Sequence, residues 1–491
     1  MPTSLQFLLD DYPRTLFPLN STAVLLSQNE TGFSDYLYQR VLSSSEMEHS
    51  FLPQTRVYAS KSGLHLRRTV KLDPVAEYFI YDVIYRNREQ FRRDHVSARR
   101  SFGYRFEGGS PLLASPSYGE FRSAVVEARG VYKYSLRCDV ATYFNALYHH
   151  DLVAWFSQIG APKKDYEDLG KFLREANTGR SVDCLPQGLY PCKMVGAEFL
   201  KFIDNSVRLR SALVLRFMDD IYVFDDDSSV VDSDFLQIQR LLGEKALSLN
   251  ASKTVYGETG DLDVAAEVDD LKVGLLRLRR EEIAASGTDE DARNEDPPAV
   301  LTEEQMVYLL NLLKDPEVQE ADAELVLVLL KDHGEDVLEH MYDFLERYPS
   351  LSRKVYGFSK HVSDNEELAG VLLRFVKSGK NATEDQLFWI AKIAEENLTA
   401  TVKYKDLLIA LYEHPAATVV SKAKVLEIPE QRFGMPQIRE EQLKLGRSDW
   451  LAWAAAVGTR KEPAISRNHL LGYFGKASIM NRLVADTIKM R

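Results

Sequence analysis

Twelve residues, Leu213-Val-Leu-Arg-Phe-Met-Asp-Asp-Ile-Tyr-Val-Phe224, constrain this chain more than any others. Apolar and aromatic side chains fill both halves of the run, with Asp219 and Asp220 side by side at its middle. A carboxylate inside a buried strand is costly, and two in succession repel each other. The stretch therefore reads as two short strands joined by a tight turn, with both carboxylates at the hairpin tip. Carboxylates so placed can share divalent cations. An ordinary surface Asp-Asp turn satisfies the same pattern, so this segment alone leaves both readings open.

Two other segments belong with it. Leu136-Arg-Cys-Asp-Val-Ala-Thr-Tyr-Phe-Asn145 reads as a short strand ending in Asp139, then an aromatic pair ahead of a helical run. Leu185-Pro-Gln-Gly-Leu-Tyr-Pro191 introduces a helix through a turn, with Gln187 and Gly188 at its start. Residues 134–140 and 213–224 have strand composition, while residues 145–176 and 192–210 have helical spacing. The N-terminal part is thus mixed α/β.

Farther along, the texture changes. From Glu281 to Glu304 nine acidic residues face one basic residue, Arg293, beside Pro297-Pro298 and with no apolar periodicity. That composition suits a solvated linker. Beyond it Thr302-Glu-Glu-Gln305, Ser363-Asp-Asn-Glu366 and Thr383-Glu-Asp-Gln386 have capping-box spacing ahead of apolar runs. Met306, Leu309, Leu310 and Leu313 recur at helical spacing, as do Leu325, Val328, Leu329 and Leu407, Leu408, Leu411. The expected division is 1–283 mixed α/β, 284–301 an acidic linker or loop, and 302–491 a stacked α-helical array of repeat-like pairs.

The net charge of −12 argues, on a naive reading, against a protein that works along nucleic acid. Eight of those charges belong to the linker-like stretch, however, and Lys61–Glu107 is locally basic with eleven Lys/Arg against six Asp/Glu. Three cysteines, Cys138, Cys184 and Cys192, are too few for a disulfide framework and form no CxxC pair. Cys138, in the strand before Asp139, reads as buried, and His149 and His150 read as surface residues. No apolar run reaches the roughly 18–20 residues of a membrane helix, and no leader-like segment opens the chain. A cytoplasmic protein without a membrane partner is expected.

Taken in order, the Asp139 strand, the Leu-Pro-Gln-Gly turn and the Met-Asp-Asp hairpin resemble motifs A, B and C of reverse transcriptases. The resemblance implies an α/β right-hand polymerase with fingers and palm, followed here by an all-α HEAT-like helical domain. It also implies nucleotide addition assisted by two Mg²⁺ ions, or Mn²⁺ in their place, roughly 3.5–4 Å apart. Asp139 and Asp219 would bridge the metals, Asp220 would support them, and the carbonyl of Val140 would offer another oxygen. Phe144, Gln187 and Gly188 would lie against the incoming dNTP, and Lys253 would stand near the pyrophosphate leaving group. A core ring at Phe144 and a solvated surface lysine at position 253 fit the same residue types.

The family's Lys-Pro-x-Gly-Gly fingers turn is absent, and Arg100 or Arg105 would have to supply the triphosphate-gripping arginine. Divergent fingers and a helical C-terminal part are similar to bacterial abortive-infection and defence-associated reverse transcriptases, the AbiK-like group, which are bacterial or prophage-encoded. Trp450-Leu-Ala-Trp-Ala-Ala-Ala-Val-Gly458 resembles that group's late helices. This implies template-independent DNA synthesis primed by a protein hydroxyl, a single-stranded DNA product joined covalently to a tyrosine, homo-oligomers and a role against phage. Of the 24 tyrosines, Tyr12, in a mobile-looking N-terminal segment, is the accessible candidate. A templated enzyme using a dedicated noncoding RNA, and a catalytically degenerate helical binding module, are the alternatives.

Overall fold

The structure, a computed structural model, describes residues 3–43, 49–91, 98–112, 114–182, 185–259, 301–313, 318–378, 381–432 and 435–490. Of the expected linker 284–301 only Leu301 is described, and Cys184 lies outside the described residues. The described strands are β1 (Thr55–Lys61), β2 (His65–Lys71), β3 (Arg99–Phe102), β4 (Phe106–Glu107), β5 (Ser110–Pro111), β6 (Tyr134–Asp139), β7 (Leu213–Phe217), β8 (Asp220–Asp225) and β9 (Val255–Glu258). Two compact units emerge, and they interleave in sequence. One comprises Met1–Thr15, Leu37–Gln54 and Val75–Asp269; the other comprises Leu16–Tyr36, Thr55–Pro74 and Asp270–Arg491.

In the first unit a five-stranded sheet runs β3-β7-β8-β6-β9, with β3 parallel to β7 and the other neighbours antiparallel. Alternation along each strand sorts the side chains between the two faces. Leu213 and Leu215 of β7, Phe224 of β8 and Phe102 of β3 meet Phe121, Ala124, Val125 and Ala128 of the helix Ala114–Val131. Burying side chains of the larger kinds contributes about 1.5–3 kcal/mol each. The helix Ser228–Gly243 packs on β6 and β8 and buries Val231, Ile238, Leu241 and Leu242.

The expected helical runs are broken at identifiable places. Residues 145–176 divide into Tyr143–Ala146, His149–Gln158 and Lys163–Ala176. Gly160, at φ +95, ends the second, and Pro162 stands at the start of the third. The run 192–210 becomes Tyr190–Phe199 and Lys201–Asp204. Past it, the Asp234 carboxylate accepts the backbone N–H groups of Arg210 and Ser211 at 2.8–3.0 Å, which supports non-helical chain there.

In the second unit β1 and β2 form an antiparallel hairpin, with Thr55 opposite Lys71 and Lys61 opposite His65. The helices stack in alternating rows. Glu320–Leu329, Ser352–Ser359, Glu384–Asn397, Val419–Leu426, Trp450–Gly458 and Ile479–Lys489 each pack on the next. Gly334–Arg347, Asn365–Lys377 and Tyr404–Glu413 make a second row, and Met435–Lys444 packs on Ala464–Phe474. Helices inside such a stack are covered on several sides, and Trp450–Gly458 is buried at every position. Capping boxes form at Thr302/Gln305 and Thr383/Gln386. The third expected box does not: Asp364 caps the helix by accepting Glu367 N–H at 2.8 Å, while the Ser363 hydroxyl donates to Glu335. Among the described residues no helix is long and apolar enough to cross a membrane.

Candidate active site

The β7–β8 hairpin closes on the pair Phe217 and Asp220, leaving Met218 and Asp219 as its turn. Met218 sits at φ +56, a left-handed conformation that costs a non-glycine residue about 1–2 kcal/mol. Arg216 holds this turn from below. Its side chain is wholly buried, its Nε is 2.9 Å and 3.1 Å from the Asp204 carboxylate oxygens, and its Nη1 donates to the carbonyls of Ala197 and Met218, each at 2.9 Å. An arginine in an otherwise apolar strand is the sequence signal that would have revealed this support.

Asp139 ends β6 directly opposite Asp220 of β8, and Val140 N–H donates to the Asp219 carbonyl at 3.3 Å. The ends of β6, β7 and β8 thus gather three aspartates. Like charges directly opposite across a ladder are destabilising, so this arrangement opposes folding. Two cations reduce the repulsion. Lys253 Nζ lies 3.0 Å from Asp139 Oδ2, and Arg137 pairs with Asp220 at 3.4 Å. Lys253 is delivered by a 3-10 turn, Ala251–Lys253, whose cap Asn250 donates its N–H to the Asp139 carbonyl at 2.7 Å. Ala141 N–H donates to Ser248 at 2.8 Å, tying the same segments together.

The compensation is incomplete. Burial pushes Asp219 up to about 6, and Asp139 and Asp220 add to the shift while Lys253 opposes it. Asp220 is also raised, chiefly by burial, with Arg137 pulling against Asp139. The site therefore has excess negative charge on hard carboxylate oxygens, the donor chemistry that suits Mg²⁺. As the side chains stand, no three carboxylate, imidazole or thiol groups among the described residues already converge to hold a metal. Asp139 and Asp220 are engaged by their cations instead.

The other expected residues fall as follows. Phe144 is half-buried on the short helix Tyr143–Ala146, and its ring edges against Gly196, where an added Cβ would meet it at 3.1 Å. Gln187 is half-buried in the turn, and the buried Gly188 takes φ +92, a conformation that favours glycine. Tyr190 N–H, at the start of the following helix, donates to buried Asp11 at 2.9 Å. The Phe144 carbonyl accepts Leu185 N–H at 3.1 Å, which links the Asp139 segment to this turn.

Arg100 is exposed on β3, which pairs with β7 in the sheet rather than forming a separate fingers strand. Arg105 is buried, 3.3 Å from the Ser117 hydroxyl and 3.8 Å from Glu120. Tyr12, expected to be accessible, is buried at 7% exposure, in a 3-10 turn whose carbonyl accepts Thr15 N–H and Oγ. His149, expected at the surface, is buried beside Asn177, whereas His150 is exposed. Cys138 is buried as expected, and burial pushes its thiol up to about 12.

No protein-family model matches the chain, and no curated protein matches it. Solved structures to which it is similar include a telomerase from Candida albicans in complex with the TWJ fragment of telomeric RNA, at 12% identity and TM-score 0.32 over 78% of this chain and 68% of that one. Apo telomerase from Candida tropicalis is similar at 11% identity and TM-score 0.33 over 82% and 72%. Likeness at this level identifies neither a fold nor an activity.

Proposed function

We propose that the chain is a reverse transcriptase-like DNA polymerase, a nucleotidyltransferase whose reaction centre is the aspartate cluster at the ends of β6, β7 and β8. The observation that carries this reading is the strand register: Asp139 faces Asp220 across the ladder, with Asp219 in the adjoining turn and Lys253 against Asp139. An acidic cluster that opposes folding makes sense where a cation is to be held.

Asp139, Asp219, Asp220 and the Val140 carbonyl are the oxygens that would hold two Mg²⁺ or Mn²⁺ ions. Bound there, such ions would stabilise the charge that develops on the entering and leaving oxygens of phosphoryl transfer. Arg216 keeps the Asp219 turn rigid, so the carboxylate is already oriented when substrate arrives. Lys253, 56% exposed, is able to leave Asp139 and to neutralise a departing pyrophosphate or donate a proton to it. Gly188 lets the backbone approach a nucleotide closely, while Phe144 and Gln187 are candidates to contact its sugar and base.

Template-independent synthesis, priming by a tyrosine and action against phage extend this reading through the resemblance to abortive-infection polymerases. Burial of Tyr12 moves the priming candidate elsewhere. Tyr118, 45% exposed and edge-on against Phe217 beside the hairpin turn, is better situated. The rival binding-module reading draws on the absence, among the described residues, of a ready-made metal-holding group.

Purified protein incubated with dNTPs and Mg²⁺, with and without added RNA, separates the readings. Incorporation without RNA, with DNA remaining attached to protein after denaturation, supports untemplated protein-primed synthesis. Dependence on RNA supports a templated enzyme, and no turnover under any condition supports the binding module.

A further inference from the structure

A second site lies wholly within the helical unit. A cavity of about 420 Å³ opens between the β1–β2 hairpin and the helices Ser352–Ser359 and Glu384–Asn397. Lys61, Arg67, Arg353 and Lys354 line it, together with the hydroxyls of Ser60, Ser62 and Ser350. Its volume lies in the range of small-molecule sites and exceeds what a bare phosphate fills.

The cations are unequally occupied. Lys354 pairs with Glu324 at 3.4 Å, and Glu320 is engaged by the hydroxyls of Ser62 and Ser350. Among the described residues the Arg353 guanidinium lies over the Trp389 ring at 5.4 Å and is attracted electrostatically by Asp385 and by Tyr356, with no hydrogen bond spent on either. A half-buried guanidinium placed over an indole, with its fork of donors unspent, is suited to a planar or tetrahedral oxyanion. The remaining acid in the wall, Asp385, accepts Ser60 N–H at 3.3 Å, and burial pushes it up to about 7. Much of it is protonated at neutral pH, where it repels an anion little and has a proton to donate.

We propose that this cavity binds a phosphate group through Arg353, supported by Arg67, Lys61 and Lys354, as part of a nucleoside phosphate or of a nucleic-acid strand. The site is independent of the aspartate cluster.

Calorimetric titration of the full chain tests it. An Asp139→Asn/Asp219→Asn background in EDTA silences the first site. The probes are inorganic phosphate, deoxyadenosine monophosphate and a short oligothymidylate. At least one probe is expected to bind, with a change in Trp389 fluorescence. Arg353→Gln is expected to weaken that binding about tenfold or more, and Arg353→Lys, which keeps the charge but loses the fork, to weaken it by a smaller factor. Binding of the mononucleotide identifies a small-molecule site, and binding of the oligonucleotide alone identifies a strand's phosphate. Circular dichroism shows whether the variants are folded, and Arg67→Gln is a second variant at the same cavity, expected to weaken binding less. Failure of every probe at millimolar concentration overturns the proposal, as does unchanged binding by folded Arg353→Gln.

Discussion

Lys424 in the helical unit and Asp219 in the sheet unit are both ionisable groups set among carboxylates, and they are treated in opposite ways. Lys424 is wholly buried between Glu395 and Glu427, with Nζ 2.6 Å from Glu427. Glu427 also accepts the backbone N–H groups of Asn20 and Ser21, at 2.9 and 2.7 Å, and the Asn20 amide reaches Glu395 at 2.9 Å. Despite burial, Lys424 holds Glu395 below the usual carboxylate range, and the two glutamates hold Lys424 above the usual lysine range. Every charge there has a partner. At the hairpin tip three aspartates share two peripheral cations, and Asp219 is held up rather than down. Paired buried charge fastens the start of the helix Asn20–Tyr36 to its own unit, whereas uncompensated charge opposes folding and is available for a ligand.

The largest effect on stability is expected at the paired site. Lys424→Met leaves two buried carboxylates without their cation and should cost about 3–5 kcal/mol, read as a lower urea midpoint. A variant that unfolds like the wild type breaks the comparison. Mg²⁺ should act only at the other site. At a concentration a hundredfold above its dissociation constant it should stabilise the wild type by about 2.7 kcal/mol and Asp139→Asn/Asp219→Asn hardly at all. Equal shifts in the two melting curves would place the cation elsewhere.

Asp219→Asn should make the metal-free protein more stable at pH 7 by about 1–2 kcal/mol, since it removes a carboxylate whose ionised form is disfavoured in the folded state. The sign follows from the raised folded value. The native state binds more protons than the unfolded chain between pH about 4 and about 6, so the wild type loses stability as pH rises through that window. Glu395, held low, contributes in the opposite sense, and its stabilisation is lost as pH falls below the ordinary glutamate range. Urea titrations of the wild type and Asp219→Asn at pH 4.5 and 7 resolve the two trends; identical pH dependence in both proteins would contradict the assignment. The smallest effect is expected for Lys253→Gln. It loses a partly exposed ion pair and should change stability by about 1 kcal/mol or less while slowing nucleotide incorporation.

Local pattern made the site legible, and long-range packing determined what was missed. Asp219 and Asp220 stand out because acids interrupt an apolar run, and the short apolar stretches on either side of them predict the strands that form. That Asp139 faces Asp220 depends on register between strands some eighty residues apart, which no local pattern contains. Tyr12 looked accessible in an N-terminal segment, yet packing within its unit buries it. Asp364 rather than Ser363 caps its helix, and the Ser363 hydroxyl reaches Glu335 in another helix. The interleaving of the units has the same origin: Glu384 and Asp385 accept the N–H groups of Tyr58 and Ser60 more than three hundred residues earlier in the chain. Arg216 is the residue whose role is legible locally, as a charge in an otherwise apolar strand, although its partner Asp204 is not.

Nucleotide transfer at the aspartate cluster is a proposal that one measurement tests. Incorporation of labelled dNTPs by the purified chain in Mg²⁺, compared with Asp219→Asn, tests it most directly. Incorporation by the wild type is expected, with a loss of about a thousandfold or more in an Asp219→Asn variant that melts no lower. Undiminished incorporation by Asp219→Asn, or none by the wild type in either Mg²⁺ or Mn²⁺, would contradict it.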